Sequence, residues 1–276
     1  MKESTKNLLK TAIPIAIIVF LLIFRFFLGL ILLLAYILYR VITGRAGMMA
    51  MMGKTSYYKG DIDKAIRWFG RAYRTGKAHP QVVTSYAYLQ LKQGRVEEAE
   101  QVLKGQMNKK LSQDDLNYAK SNYALVLWKK GDLDGAISML EEIIRDYKTT
   151  TLYGSLGYLY IVRGDLEKAL EFNREAYEYN NTNAVIQDNL GQTCYMAGEY
   201  DKALEIYEKL IPTNPGFPEA YYNYALVLLK RDMPARALAN LEKSLKYKLT
   251  FLSAITREDI DARIEEAKAA AAKTAE

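Results

Sequence analysis

Two regimes of hydrophobic patterning divide the chain. Residues 12–39, AIPIAIIVFLLIFRFFLGLILLLAYILY, are apolar, and only Pro14, Arg25 and Gly29 interrupt them. From residue 46 onward the apolar residues recur at helical spacing, and short polar turns break them at regular intervals. The first regime predicts a lipid-facing helix. The second predicts a succession of amphipathic helices that bury their apolar stripes against one another.

As one helix the apolar run would be about 42 Å long, against a hydrocarbon core of about 30 Å. As a hairpin broken at Arg25, each arm would reach only about 20 Å. One tilted membrane-spanning helix over residues 12–42, behind a basic tail at 1–11, is therefore the expectation. A central Arg25 would cost about 2.5–3.5 kcal/mol. Shifting the span toward Phe26–Ile42 lets its stem snorkel to an interface. A cleavable signal would have an apolar region of about half this length and a small-x-small site, which ITGRAGMM does not supply.

The second regime repeats itself. A turn-and-helix phrase recurs as KGDIDKAI, QGRVEEAE, KGDLDGAI, RGDLEKAL, AGEYDKAL and RDMPARAL. Its Ala falls at Ala65, Ala99, Ala136, Ala169, Ala203 and Ala237, at steps of 34, 37, 33, 34 and 34. Twelve positions earlier stands a second small residue: Gly53, Ala87, Ala124, Gly157, Gly191 and Ala225. Two small-residue tracks in one register mark the closest approach of two helices. The Gly at the head of the first five phrases (Gly60, Gly94, Gly131, Gly164 and Gly198) ends the first helix in a left-handed conformation, and an Asp after it suits an N-cap. Tyr86, Tyr123, Leu156, Leu190 and Tyr224 on first helices, with Phe69, Leu103, Leu140, Tyr207 and Leu241 on second helices, supply the packing. No single pair can bury its own apolar face, so neighbours must stack.

The period, the Gly/Ala track, the GD-x-x-x-A-I/L turn and the Tyr/Phe/Leu positions resemble the tetratricopeptide repeat family. The resemblance implies an all-α, right-handed superhelical solenoid. Six helix-turn-helix repeats fall near 46–79, 80–116, 117–149, 150–183, 184–217 and 218–251, and a capping helix and tail in 252–276. The span precedes them. Thr256, followed by acids, suits the N-cap of the closing helix, with Ile260, Ile264 and Ala267 on its apolar face. Four departures stand out. Met48, Met49, Met51 and Met52 crowd repeat 1; Asp232 replaces the turn Gly of repeat 6; Asn173 stands where a large apolar residue is usual; and extra residues near Met107–Gln113 predict a longer loop.

Composition narrows the chemistry. The formal charge is +6, but residues 1–45 hold Lys2, Lys6, Lys10, Arg25, Arg40 and Arg45 against Glu3, leaving 32 bases against 31 acids in the body. That points to a membrane flank and away from nucleic acid, which needs clustered bases. Basic residues slightly favour the flank beyond the span, so the repeat array is expected in the cytoplasm of a single-pass protein. One His (His79) and one Cys (Cys194) exclude an internal disulfide and a Cys/His metal site. RAGMMAMMGKT lacks the spacing of a phosphate-binding loop, and YGSLG around Ser155 that of a nucleophile elbow. The expectation is no enzyme and no cofactor.

The resemblance further implies that first helices line a concave groove which binds peptide segments of partner proteins. By that register Lys54, Tyr58, Tyr88, Lys92, Trp128, Lys129, Tyr158, Asp188, Gln192, Tyr195, Tyr222 and Lys230 face it. Tyr is also a common packing residue in such repeats, and a surface Lys is usually only solvated. Ala50 and Lys54 stand where the carboxylate-clamp variety has Lys and Asn, so that specificity is not expected. Two functions compete. One is a membrane-anchored scaffold for protein or peptide partners, as an assembly or quality-control factor of a membrane complex would be. The other is a homo-oligomer assembled through the span and terminal repeats.

Overall fold

The apolar run is broken at Arg25. In the computed structural model, which describes residues 3–274, α1 covers Glu3–Phe24 and α2 covers Phe26–Tyr58. Arg25 lies between them at φ −145°, ψ 67°, outside helical geometry. α1 packs back on α2. Gly29 marks the crossing: a Cβ there would lie 2.5 Å from the Leu22 backbone nitrogen. Ile18 is only 6% exposed, and Pro14, Leu21, Leu22, Leu33 and Tyr36 are half-buried. These positions recur every three to four residues on each helix, as a seam between two helices requires. The run expected as one tilted helix over 12–42 is thus two helices, with the shifted span Phe26–Ile42 inside α2. The physical reason is Gly29, whose missing side chain lets two backbones touch, beside an Arg that is better placed at a bend than inside a span. The outer faces stay apolar and exposed, with Phe24, Phe27 and Ile31 among them.

α2 does not stop where the apolar run ends. Its last turns form the first helix of repeat 1, paired with α3 (Ile62–Arg74). Ala46, Ala50, Gly53 and Ser56 form its buried stripe. Gly53 meets the ring of Phe69, where a Cβ would lie 2.5 Å from a ring carbon. Met48, Met51 and Met52 point outward. This unit, Met1–Val82, is separate from a second unit, Val83–Glu276.

The second unit carries repeats 2–6. Their first helices are α4 (Pro80–Lys92), α6 (Gln113–Lys129), α8 (Thr150–Arg163), α10 (Ala184–Met196) and α12 (Pro218–Lys230). Their second helices are α5 (Val96–Met107), α7 (Leu133–Ile144), α9 (Leu166–Tyr179), α11 (Tyr200–Leu210) and α13 (Pro234–Ser244), and α14 (Arg257–Thr274) closes the stack. α10 packs on both α8 and α12, so first helices line up beside one another. The turn glycines Gly94, Gly131, Gly164 and Gly198 all have φ between 76° and 93°, and Asp232 takes the same left-handed place at φ 54°. Asp132 and Asp165 cap the helices that follow. The extra residues near Met107–Gln113 lengthen a helix as well as a loop: α6 has 17 residues and starts after Ser112, whose Oγ accepts from the Asp115 N–H.

Both small-residue tracks are buried throughout. Their sizes follow a rule. Where the first helix has Gly (Gly53, Gly191), the opposite second-helix residue is an aromatic (Phe69, Tyr207); a Cβ on Gly191 would lie 2.7 Å from the Tyr207 ring. Where it has Ala, the same position holds Leu103, Leu140 or Leu241. Gly157 faces Asn173, which replaces bulk with hydrogen bonds. Asn173 Nδ2 donates to the Gly157 carbonyl (3.3 Å) and to Thr193 Oγ1 (3.1 Å). Asn189 Nδ2 likewise donates to the Gly154 carbonyl (2.8 Å), tying α10 to α8. Closing helix α14 buries Ile260, Ile264 and Ala267. Thr256 and Asp259 form a reciprocal cap at its start: Thr256 N–H donates to Asp259 Oδ2 (2.8 Å) and Asp259 N–H to Thr256 Oγ1 (3.1 Å).

Candidate functional site

The first helices of the second unit bring several groove candidates together. On α4, Lys92 lies one turn beyond Tyr88, its ammonium 5.7 Å from the ring centroid. On α6, the Lys129 ammonium sits 4.1 Å over the Trp128 ring. Trp128 in turn meets Tyr158 of α8 edge-on, with centroids 5.5 Å apart. Burial lowers the pKa of both lysines; for Lys92, Glu219 opposes that shift and Lys248 adds to it. Ammonium groups over aromatic faces in a partly dehydrated setting form strong contacts for rings and carboxylates. The Tyr158 hydroxyl is buried without a protein partner, and burial pushes its phenol well above the usual range.

Farther along, the wall turns acidic. Glu219, in the first turn of α12, lies within electrostatic reach of Lys92, Tyr158 and Asp188. Asp188 is not an open groove contact. It is buried, and its Oδ1 accepts from the Tyr207 hydroxyl (2.9 Å) and from Asn223 Nδ2 (3.1 Å). Burial pushes its carboxyl up to about 7 despite those two donors. Tyr222 is buried as well, within electrostatic reach of Arg263 of α14. Tyr195 packs on Tyr200 at 5.6 Å. Gln192 is half-buried and Lys230 exposed. Lys54 and Tyr58 are exposed on the first unit, Tyr58 at 84%, edge-on to Tyr57. Cys194 is buried, which pushes its thiol up to about 11 and leaves it inert.

Sequence reasoning missed Phe251. Its ring takes the Lys129 ammonium at 4.9 Å, and its N–H donates to the Lys92 carbonyl (3.1 Å). The signal was an apolar string, Leu249 to Leu252, in a connection that the helical period does not need.

Helix pairs stacked at a period of about 34 residues, with small residues at every crossing, define an α-solenoid of helix-turn-helix repeats. Models of the tetratricopeptide repeat match residues 51–105, 116–150, 148–214 and 206–239, together more than half of the chain. The chain belongs to the tetratricopeptide repeat family. It is 23% identical over 211 residues to a TPR repeat-containing protein of Methanocaldococcus jannaschii, a match that takes in 76% of this chain and 33% of that protein's length. In fold it resembles a chain of the APC/C hetero-tetramer Cut9–Hcn1, with a TM-score of 0.63 and 16% identity over 81% of this chain and 42% of that one. A tetratricopeptide repeat protein from Parabacteroides merdae aligns over 81% of this chain and 99% of its own, with a TM-score of 0.45 and 14% identity.

Proposed function

We propose that this protein is a membrane-attached scaffold that holds partner peptides on the first-helix face of its second unit. Tetratricopeptide repeat proteins act as interaction scaffolds, and the fold is typically non-catalytic. The observation that carries the reading here is the Tyr88–Lys92 and Trp128–Lys129–Tyr158 cluster. It offers rigid aromatic area beside partly dehydrated ammonium groups, the combination that anchors peptide segments. A photo-reactive residue in place of Tyr158 should cross-link a partner protein in cells, and Lys129→Glu should abolish the adduct. The same probe at Glu208, on α11, should cross-link nothing. Equal cross-linking at both positions, or none at Tyr158, would defeat the reading.

The apolar outer faces of α1 and α2 support membrane attachment. α2, Phe26–Tyr58, is the one helix among the described residues long and apolar enough to cross a bilayer. Because α1 packs back on α2, both ends of the pair belong on the same side, with Arg25 at the far end. Single cysteines at Ser4 and Glu276, in a Cys194→Ser background, should therefore react alike with an impermeant maleimide in intact cells. Opposite reactivity would restore the single pass.

A further inference from the structure

The connection between α13 and α14, residues 245–256, reaches back to helices far earlier in the chain. Its base is firm. Tyr247 stacks on Tyr221 at 5.1 Å and 10°, and their hydroxyls share a hydrogen bond of 3.2 Å. Leu245, Leu249 and Ile255 pack on the core around α10 to α14. Its tip is a tight turn: Thr250 N–H donates to Ser253 Oγ (3.1 Å) and Ser253 N–H to the Thr250 carbonyl (2.9 Å). That turn presents Phe251 to α4 and α6. The ring lies beside Gly94, where a Cβ would come within 3.4 Å of it. A backbone hydrogen bond to Lys92, the Lys129 ammonium and the Gly94 backbone beside the ring hold the tip, and Phe251 remains 42% exposed.

We propose that the Thr250–Ser253 turn is a built-in occupant of the groove, and that a partner segment carrying an aromatic residue and a nearby acid displaces it. The inference deepens the peptide-groove reading and rests on it. Phe251 shows what the site takes: an aromatic ring under the Lys129 ammonium and a free N–H toward the Lys92 carbonyl. It also shows what the site lacks. Lys248 lies within electrostatic reach of Lys92, a like-charge encounter that weakens the attraction Glu219 offers there, so the chain's own segment is a poor ligand. An acid at the place of Lys248 would meet Lys92 instead, and it would win the exchange.

The test uses the full chain in detergent and a fluorescein-labelled peptide of residues 245–256. Phe251→Ala should bind this peptide about tenfold more tightly than the unmodified chain, because the site is vacated. A peptide carrying Lys248→Glu should bind more tightly still, and Lys129→Ala added to Phe251→Ala should remove both gains. In a Trp68→Phe background, acrylamide quenching of Trp128 should rise when Phe251 is truncated. Equal peptide binding to both chains overturns the occupant and leaves the groove reading intact. No binding to Phe251→Ala, or unchanged quenching, also overturns it. A gain in Phe251→Ala with no partner cross-link at Tyr158 defeats the scaffold alone.

Discussion

Tyr207→Ala should lower the unfolding free energy by about 3–5 kcal/mol, the largest effect expected of any single truncation in the second unit. Tyr207 is fully buried, its ring packs 5.6 Å from that of Tyr224, and its edge fills the space left by Gly191. Truncation opens a cavity at a helix crossing and removes a donor from a buried carboxyl. Tyr207→Phe isolates the second part and should cost about 1–2 kcal/mol. The size rule at the crossings supplies a sharper check. Tyr207→Leu and Gly191→Ala should each destabilise, and together they should recover stability, since the double variant reproduces the Ala/Leu pairing of repeats 2, 3 and 6. Urea unfolding followed by far-UV circular dichroism reads all four variants. Simple additivity of the two single changes would sink the rule.

The second large effect is a pH dependence. Asp188 is buried and its folded carboxyl is raised to about 7, whereas an unfolded Asp titrates at about 3.9. Between those values the folded chain keeps a proton that the unfolded chain has released. The resulting stability is complete below about pH 4 and is lost as pH rises through about 7, a change of a few kcal/mol. Asp188→Asn should flatten this slope and exceed the parent in stability at pH 8. Its amide oxygen can accept from Tyr207 and Asn223 as the carboxyl does, and it carries no charge to bury. Burial raises the Tyr207 phenol well above its usual range, with Asp188 adding to the shift, so its hydroxyl remains a donor across this window. Unfolding midpoints measured from pH 4 to 8 decide the point; parallel profiles for the two chains would refute it.

Most of the repeat architecture was legible because it is local. Gly94, Gly131, Gly164 and Gly198 announce left-handed turns, and the small residues at the crossings announce helix contact, all within one period. Asp232 was legible as a deviation, since the same turn geometry is required whichever residue fills it. Three features were not. The break at Arg25 was set aside because arms of about 20 Å fall short of a bilayer, and only backbone contact at Gly29 reveals the fold-back. Asp188 sits at a groove position by register, but Tyr207 and Asn223 close over it, and register carries no account of neighbouring side chains. Phe251 escaped for a third reason. Its partners Lys92 and Gly94 lie more than four periods away, and a repeat pattern describes each unit's next neighbour, not where a later segment returns. Among the named groove residues, Trp128, Lys129 and Tyr158 lie against one another, while Tyr222 is buried.

The uninterrupted course of α2 has a mechanical meaning. A linker of glycine and serine would let the apolar N-terminal part and the first repeat turn independently. A continuous helix has no joint and transmits both tilt and torsion. Rotating Phe26–Ile42 about its axis must also rotate the stripe of Ala46, Ala50 and Gly53 that grips α3. That grip, with Gly53 seated on the Phe69 ring, tolerates little slippage. In the proposed membrane-attached state, the bilayer would act as a clamp on one end of a shaft. Changes in membrane thickness, which helices accommodate by tilting, would arrive at repeat 1 as torque.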